Sequence, residues 1–359
     1  MKLATANPPS PWRGHTEWEE GPPPAEPQVF VDHSTSILSR NDSPDLPFRW
    51  SCNPYRGCFH GCAYCYARPS HEYVGLGAGS DFERKLLVKP EAARLLAAAL
   101  RSPRWEPEVI LFSGNTDCYQ PLELRYRLTR ACLEVCAEAR NPVSIITKAA
   151  LVARDADLLA AMAAWDGAHV TFSIPFFDPV ACRLVEPGAS PPARRFAAMA
   201  CLSAAGVPVG VNIGPMIPGL TDRDIPAILK AARAAGATWA HLMPVRLPGA
   251  VEEVFRARIA EAFPDRAEAI LAKVRRMRGG QLNDSRFGER FRGQGQEWEA
   301  TRALFTVWRS RLGFRERPGL PVAPPKPRAP GGRSPRGRAE PPGVTAPGQL
   351  PLFSGLRSG

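Results

Sequence analysis

The sequence predicts an α/β protein with a parallel β-sheet, because short apolar runs alternate along the chain with amphipathic stretches. The apolar runs end in small or polar residues, which is typical of buried parallel strands; they are EVILFSGN, PVSIITK, AHVTFSI, VPVGVNI and TWAHLMPV. The amphipathic stretches predict helices at residues 90–101, 123–139, 153–165, 191–205 and 222–235. With a first strand near 48–54, the six strand–helix units form either a barrel or a doubly wound sheet.

The chain beyond the last of these strands is predicted to be mostly helical, over residues 251–311. It is interrupted by NDSRFGERFRGQGQ, a stretch dominated by Arg and Gly. This interruption is either a surface loop or a positively charged lid over the barrel mouth, where active sites of this architecture lie.

Both ends of the chain are predicted to be disordered. Residues 1–28 are rich in Pro and Glu and show no hydrophobic period. Residues 316–359 include PPKPRAPGGRSPRGRAEPPG, a composition that cannot bury a core. One folded unit, about residues 29–315, lies between them.

Composition and charge limit the class of protein. The 359 residues are 44% hydrophobic, which is enough for one barrel-sized core. The formal net charge of +11 favours a polyanionic partner, although a basic enzyme with a basic tail would have the same balance. The N-terminus has no apolar signal core, and no apolar run approaches the length of a membrane span. The expected location is therefore the reducing cytoplasm.

Three cysteines, Cys58, Cys62 and Cys65, lie close together in the stretch NPYRGCFHGCAYCYA, just after the first predicted strand. In a reducing compartment, clustered thiolates bind metal rather than form disulfides. Three thiolates can hold three corners of a [4Fe–4S] cluster and leave the fourth iron open to an outside ligand.

Two other metal centres are compatible with these cysteines. A structural zinc site needs a fourth protein ligand, which His60 or His71 could supply. A ferredoxin-type cluster needs a fourth cysteine, and Cys52 or Cys118 could serve. The remaining cysteines are predicted to be small buried apolar residues: Cys132, Cys136, Cys182 and Cys201.

The spacing Cys-x3-Cys-x2-Cys, with an aromatic residue before the last cysteine, resembles the signature of radical S-adenosylmethionine (SAM) enzymes. The resemblance implies that the open iron binds the amino and carboxylate groups of SAM. An electron from the cluster then cleaves SAM to methionine and a 5′-deoxyadenosyl radical, which abstracts hydrogen from the substrate. The resemblance also implies a partial (β/α)6 TIM-type barrel over residues 29–250 and a helical, basic extension over 251–315.

Further segments resemble spore photoproduct lyase in the same order along the chain. CAYCYA has tyrosines at both positions, and TDCYQPLE follows the second strand. ITKAALVARDADLL resembles a Thr-Lys segment, VEPGASPPARRFAAM a Glu-Pro-Gly loop, and RFGERFRGQG a Gly-rich basic stretch. The similarity covers about residues 50–295 and indicates the lyase-like subgroup of radical SAM proteins.

This resemblance implies SAM-binding roles at the first two strands. Tyr64 precedes the last cluster cysteine, at a position whose backbone contacts adenine in the superfamily. Thr116 and Asp117 end the second strand, where the superfamily binds the SAM amino group; a hydroxyl and a carboxylate suit an ammonium. The alternative for Asp117 is to cap a helix that begins near Leu122.

Later strands supply further implied SAM contacts. Lys148 ends the third strand and matches a SAM-contacting lysine of the lyase, with an exposed strand-end charge as the alternative. Ser173 ends the fourth strand and matches a SAM-contacting serine, or is a hydroxyl with an internal partner. Asn212 and Gly214 lie where the fifth strand of the superfamily approaches adenine.

The residues implied in hydrogen transfer match the lyase only in part. Tyr64 and Tyr66 match its hydrogen-relay tyrosines. Its hydrogen-donating cysteine aligns with Gly114, which has no thiol hydrogen to donate, and Cys118 is the candidate replacement. The resemblance therefore implies hydrogen abstraction, without the lyase's cysteine at its own position.

The C-terminal sequence PGQLPLFSGLRSG contains a second clue. Gln349, Leu350, Leu352 and Phe353 resemble the Gln-Leu-x-Leu-Phe peptide by which bacterial repair enzymes bind the DNA sliding clamp. A disordered tail presents such a peptide in extended form, with its apolar side chains free to fill a pocket. An accidental apolar tail end is the alternative.

Taken together, these features predict a radical SAM enzyme that acts on DNA, by lyase-like repair or base modification. It would need an electron donor such as flavodoxin or ferredoxin. Two alternatives stay open: a radical SAM enzyme for RNA, protein or a metabolite, and a non-catalytic iron–sulfur protein associated with nucleic acid or the clamp.

Overall fold

The structure, a computed structural model, describes residues 27–316 together with residues 319 and 321. In this part of the chain the strands are β1 (Gln28–Val31), β2 (Leu38–Arg40), β3 (Trp50–Cys52), β4 (Tyr55–Arg56), β5 (Lys85–Val88), β6 (Ile110–Phe112), β7 (Val143–Thr147), β8 (Ala168–Ser173), β9 (Val209–Met216) and β10 (Trp239–Pro244). The α-helices are α1 (Ser80–Arg84), α2 (Ala92–Arg101), α3 (Leu122–Tyr126), α4 (Leu128–Glu138), α5 (Ala156–Ala163), α6 (Pro179–Val185), α7 (Pro192–Ala204), α8 (Ile225–Ala234), α9 (Val251–Ala262), α10 (Ala267–Met277) and α11 (Gln296–Arg311). The 3-10 helices are Arg68–Val74, Ala150–Asp155 and Asp222–Asp224.

The main sheet has seven strands in the order β10-β9-β8-β7-β6-β3-β2. The six strands from β3 to β10 in this sheet are parallel, and β2 is antiparallel to β3 at one edge. The two edge strands do not pair with each other, so the barrel is open. This confirms the predicted fold class, an α/β protein with a partial barrel of six strand–helix units.

The parallel strands are continuous apolar runs because helices cover their outer face. Every residue of β6 and of β8 is buried, which is why their sequences do not alternate between polar and apolar residues. Their C-terminal ends lie at one rim of the open barrel, and the connections that follow these ends carry most of the predicted site residues.

A second sheet, in the order β1-β5-β4, was not predicted from the sequence. Strand β5 pairs in parallel with β1 and antiparallel with β4. Strand β4 leads directly into the loop of the three clustered cysteines, so this small sheet fixes where that loop begins.

The prediction of one helix at residues 123–139 is wrong at one point, because the structure has two helices there, α3 and α4. Arg127 lies between them in the left-handed conformation, with φ of 51°. The buried carboxylate of Glu123 accepts hydrogen bonds from the backbone N–H of Thr129 at 2.9 Å and of Arg130 at 3.3 Å, at the start of α4. A side-chain acceptor therefore satisfies donors that a continuous helix would have bonded internally.

The predicted burial of isolated cysteines is correct for three of the four. Cys132, Cys136 and Cys182 are buried, whereas Cys201 is exposed on α7. The predicted arm of residues 1–28 and tail of residues 316–359 lie almost wholly outside the described residues and stay predictions. Among the described residues, no helix has both the length and the apolar character that crossing a membrane requires.

A buried histidine, His71, lies on the 3-10 helix Arg68–Val74. Its Nε2 lies 2.8 Å from the Lys85 carbonyl oxygen, to which it donates, and its ring meets Phe82 edge-on at a centroid distance of 5.3 Å. Its Nδ1 has no hydrogen-bond partner among the described residues. Burial lowers the pKa of His71 to about 4, so the folded protein holds this ring neutral.

We predict that His71 makes the protein less stable in acid. Between pH 6.5 and about 4 the unfolded chain binds a proton on this ring while the folded protein does not, so stability falls as pH falls through that window. The loss approaches about 3 kcal/mol at the lower end. Urea unfolding of the full chain at pH 5 and pH 7 measures this difference. His71→Gln keeps a donor for the Lys85 carbonyl and should reduce the difference; an unchanged pH dependence would assign it to other groups.

Candidate active site

A cavity of about 260 Å³ lies at the C-terminal rim of the barrel. Ten of the residues predicted from the sequence line it: Cys58, Cys62, Cys65, Tyr64, Tyr66, Thr116, Asp117, Lys148, Ser173 and Asn212. Cys118 is the one predicted site residue that does not. Residues far apart in sequence thus meet in one concave site.

The three cysteines lie on a loop that runs from β4 to the 3-10 helix Arg68–Val74. Cys58 and Cys62 are each 6% exposed, and Cys65 is half-buried. Because the loop has no regular secondary structure, other segments must satisfy its backbone polar groups. Gln120 does this at two points: its Oε1 accepts from Phe59 N at 2.9 Å, and its Nε2 donates to the Gly57 carbonyl at 2.9 Å.

Arg68 is the second support of the cysteine loop. Its Nε and Nη2 donate to the carbonyl oxygen of Cys62 at 3.0 and 2.8 Å. Its Nη1 donates to the carbonyls of Ala78 and Gly79, both at 3.0 Å, and its charge pairs with Glu83 at 2.5 Å. The guanidinium is fully buried, so these contacts fix the carbonyl of Cys62 to the segment before α1.

The Glu-Pro-Gly turn after α6 is the third support. Gly188 N donates to the His60 carbonyl at 2.9 Å, and Ala63 N donates to the Val185 carbonyl at 2.9 Å. A Cβ atom at Gly188 would lie 2.1 Å from the carbonyl oxygen of Phe59. Glycine is required here because the two backbones approach too closely for a side chain.

The cysteine thiols have raised pKa values. Burial, with a smaller contribution from Asp117, raises the pKa of Cys58 to about 12. Burial also raises the pKa of Cys62 well above its ordinary value, with Glu186 adding to the increase and Lys148 opposing it. Since metals bind thiolates, binding at this loop must release protons.

Asp117 lines the cavity and connects the ends of two strands. Its Oδ1 accepts from Thr147 Oγ1 at 2.8 Å and from Tyr119 N at 2.9 Å, and its Oδ2 accepts from Lys148 N at 2.7 Å. The alternative role as cap of the following helix is wrong, because Pro121 occupies the N-cap of α3. The other predicted ammonium-binding group, Thr116, donates its hydroxyl to the Tyr55 carbonyl at 2.8 Å.

Tyr64 lies between a cation and a carboxylate. The Lys148 ammonium lies 5.6 Å from the centroid of the Tyr64 ring. The Tyr64 hydroxyl donates to Glu186, whose carboxylate also pairs with the buried guanidinium of Arg195. Burial raises the pKa of Glu186, while Arg195 opposes that increase. Arg195 further donates to the Ser173 carbonyl at 2.8 Å, so this network also positions the end of β8.

The side-chain oxygen of Asn212 indicates which kind of ligand the cavity suits. Its Oδ1 is buried and has no hydrogen-bond partner among the described residues, although the side chain lines the cavity. Gly214 leaves room for this amide, because a Cβ there would lie 2.6 Å from Asn212 Nδ2. A buried acceptor without a partner suits a ligand that donates a hydrogen bond. Together with three thiols and a half-buried lysine, it fits the expected cluster and SAM.

The predicted hydrogen donors differ in position. Tyr66 is 47% exposed, lines the cavity and donates its hydroxyl to the Gly114 carbonyl at 2.7 Å. Cys118 is 1% exposed and belongs to the barrel core, a position that does not support hydrogen donation into the cavity. A Cβ at Gly114 would lie 2.9 Å from that of Ser51, so a side chain does not fit there without movement of Ser51.

The histidines considered as zinc ligands have other contacts. His60 Nδ1 lies 3.5 Å from Asp117 Oδ2, and His71 bonds Lys85. Across the described residues, no three His, Cys, Asp or Glu side chains form a group that could hold a single metal ion. In a cubane each thiolate binds a different iron, so the sulfurs need not converge on one point.

The sequence matches one family model and several uncharacterised relatives. Residues 52–232, about half of the chain, match the family model of the Radical SAM superfamily. The chain is 38% identical over 222 residues to uncharacterised proteins of Mycobacterium bovis and Mycobacterium tuberculosis, an alignment that covers 61% of this chain and 65% of each relative. An uncharacterised protein of Methanocaldococcus jannaschii is 29% identical over 174 residues, which are 48% of this chain and 62% of that protein.

Solved structures share the fold. A cysteine-to-serine mutant of spore photoproduct lyase superposes with a TM-score of 0.54 at 16% identity, covering 79% of this chain and 78% of that one. Spore photoproduct lyase complexed with dinucleoside spore photoproduct gives a TM-score of 0.54 at 14% identity with the same coverage. At this identity the likeness concerns the fold alone.

We predict that Gly188→Ala lowers cluster content. The added methyl would meet the Phe59 carbonyl at 2.1 Å, and relieving that overlap costs about 1–3 kcal/mol of loop packing. Iron and acid-labile sulfide per chain after anaerobic reconstitution measure the effect. Gly319→Ala is the control, because a Cβ there meets nothing within 4 Å. Equal iron content in both variants would show that this contact does not hold the cysteine loop.

Proposed function

The chain belongs to the radical SAM superfamily, and from this premise we propose that it is an enzyme that abstracts a hydrogen atom from DNA. Members of the superfamily use a [4Fe–4S] cluster and SAM and require a reductant. The observation that carries the proposal is that one cavity joins the three cysteines expected to hold the cluster to the strand-end residues expected to bind SAM.

When bound, the cluster would supply the electron for reductive cleavage of SAM to methionine and a 5′-deoxyadenosyl radical, the species that would abstract hydrogen from the substrate. In this proposal Cys58, Cys62 and Cys65 hold the cluster. Lys148 provides positive charge for the SAM carboxylate, and Asp117 provides a carboxylate for its ammonium. Both groups are held by short hydrogen bonds or ring contacts, so they are oriented before any ligand binds.

Several observations support DNA as the substrate. The net charge of +11 favours a polyanion, and the Arg- and Phe-rich segment at residues 284–292 adjoins the cavity. One fold relative was solved with dinucleoside spore photoproduct bound, a DNA-type ligand of that protein. A target base in DNA would have to leave the stack to reach a buried site.

The proposed reaction is base modification or repair by hydrogen abstraction, rather than the complete lyase reaction. Gly114 occupies the position that resembles the lyase's donor cysteine, and Cys118 lies in the core. Tyr66 remains as a hydroxyl at the cavity, next to the Gly114 carbonyl. We assign the return of a hydrogen atom to the substrate, where it occurs, to Tyr66 and not to a cysteine. The resulting tyrosyl radical would take one electron from the reductant and one proton from solvent.

Three further proposals follow from the sequence. The reductant is a flavodoxin or ferredoxin, and cysteine usage favours the cytoplasm. The chain consists of a barrel over residues 29–250, an extension over 251–315, and arms at either end. The peptide Gln349, Leu350, Leu352 and Phe353, which lies outside the described residues, binds the DNA sliding clamp and raises the local concentration of enzyme at DNA.

We predict deuterium transfer from DNA to 5′-deoxyadenosine. The full chain is reconstituted without oxygen, reduced with dithionite, and incubated with SAM and deuterated DNA carrying candidate lesions. Mass spectrometry of 5′-deoxyadenosine should show label, because the abstracted atom comes from the substrate. Cys62→Ala should abolish 5′-deoxyadenosine, since it removes a cluster ligand.

The control variant is Cys201→Ala, which removes an exposed cysteine on α7 and should leave 5′-deoxyadenosine formation unchanged. Formation of unlabelled 5′-deoxyadenosine with every nucleic acid tested would contradict the DNA substrate while keeping radical chemistry. No 5′-deoxyadenosine at all, despite an intact cluster, would mean that the protein is not catalytic.

We also predict that Leu352→Ala combined with Phe353→Ala abolishes binding of the full chain to the sliding clamp. The two apolar side chains would fill the clamp's pocket, so their removal takes away most of the buried contact. Calorimetric titration measures the affinity. Leu356→Ala, a loss of one leucine outside the peptide, should have no effect. Equal affinity of the double variant and the wild type would remove clamp binding from the account.

A further inference from the structure

One side of the cavity mouth is built by two segments that are distant in sequence. The segment at residues 284–292, called the lid here, is bound to the loop at residues 41–48. Arg290 Nε pairs with Asp45 at 2.7 Å, and the backbone N–H of Gly288 donates to the same carboxylate at 2.8 Å. Phe291 on the lid and Phe48 on the loop both line the cavity. The lid therefore forms one wall of the cavity and is held in place by these contacts.

Two arginines packed against this wall, Arg278 and Arg290, are engaged in structural contacts. Arg278 donates to the carbonyls of Pro244 and Val245 and to two carbonyls of the lid. Arg290 pairs with Asp45 and lies over the rings of Phe287 and Phe291, each at 4.9 Å. Their charges already have partners.

Arg246 differs from both. It follows β10, lines the cavity, and lies between two rings, 5.0 Å from the Tyr66 centroid and 5.1 Å from that of Phe291. Its guanidinium makes no hydrogen bond or ion pair with any residue that the structure describes. Partial burial lowers the pKa of Arg246, with Tyr66 opposing the shift. A stacked guanidinium with unused N–H groups is prepared for an anionic acceptor.

The position of Arg246 separates it from the cofactor side of the cavity. Lys148 follows β7, and strands β8 and β9 lie between β7 and β10. At the usual strand spacing the ends of β7 and β10 lie about 14 Å apart along the sheet. Lys148 lies over Tyr64, whereas Arg246 lies over Tyr66, on the other side of Cys65. The two cations thus stack on different tyrosines of the cysteine loop and follow strands that are not neighbours.

We propose that the guanidinium of Arg246, held between Tyr66 and Phe291, binds a phosphate group of the substrate and places the attached nucleoside beside the cysteine loop. A guanidinium donates two parallel hydrogen bonds to phosphate oxygens, and the flanking rings offer a surface for a base. The proposal rests on the proposed function and names the chemistry recognised at its site. The phosphate belongs either to a DNA strand or to a free nucleotide.

The test compares thymidine, thymidine 5′-monophosphate and single-stranded oligothymidylate as ligands of the reconstituted full chain. The wild type should bind the monophosphate about tenfold more tightly than thymidine, and Arg246→Gln should lose that preference. Arg246→Gln should also weaken oligothymidylate binding about tenfold and make it less dependent on salt. Arg94→Gln removes the same charge from the exposed surface of α2, where Arg94 pairs with Glu91, and should change each affinity less than twofold.

The outcomes distinguish the proposed role of Arg246 from the proposal that DNA is the substrate. Loss of phosphate preference in Arg246→Gln, with oligothymidylate bound no better than the monophosphate, supports Arg246 and contradicts DNA as substrate. Phosphate preference that persists in Arg246→Gln, or is missing in the wild type, overturns the role of Arg246. Arg246→Lys serves if the glutamine variant does not fold. It keeps the charge without the planar fork, so full wild-type preference in this variant would also overturn the proposal.

Discussion

The site depends on holding an irregular loop in a fixed position inside the protein. The loop of Cys58, Cys62 and Cys65 pairs with few strand or helix neighbours, so its buried backbone groups need partners from elsewhere. Arg68 and Gln120 supply them as buried side chains, and the turn after α6 supplies them through its backbone. Buried polar contacts are costly unless complete, which makes this arrangement specific to one loop conformation. These contacts determine the positions of the three cysteines.

The open barrel then brings the rest of the site to that loop. Parallel strands end at one rim, so Asp117, Lys148, Ser173 and Asn212 reach the same cavity from four separate strands or the turns after them. Short hydrogen bonds and ring contacts fix most of these groups without a ligand. Arg246 enters from the last strand, where it is stacked rather than hydrogen-bonded. The cavity therefore has two cations that stack on different rings, Lys148 over Tyr64 and Arg246 over Tyr66.

Much of this could be predicted from the sequence, because its signals are local. Apolar runs that end in small or polar residues located five of the six parallel strands, and the cysteine spacing located the cysteine loop. The contacts that hold the cysteine loop could not be predicted, because Arg68 and Gln120 bind residues that only the tertiary fold brings near them. Arg246 could not be predicted either, since no sequence motif surrounds it. Asp117 was open to two roles because both use the same carboxylate at a strand end. Cys201 was predicted to be buried because that prediction used only the residue type and did not consider which face of its helix the residue lies on.

The central claim is that three cysteines leave one iron of the cluster free to bind SAM. The most direct measurement is electron–nuclear double resonance on the reduced protein with SAM that carries 17O in its carboxylate and 15N in its amino group. The account predicts hyperfine coupling from both nuclei, which reports bonds to a single iron. An intact cluster that shows neither coupling, or a centre that proves to be tetrahedral zinc, would contradict it.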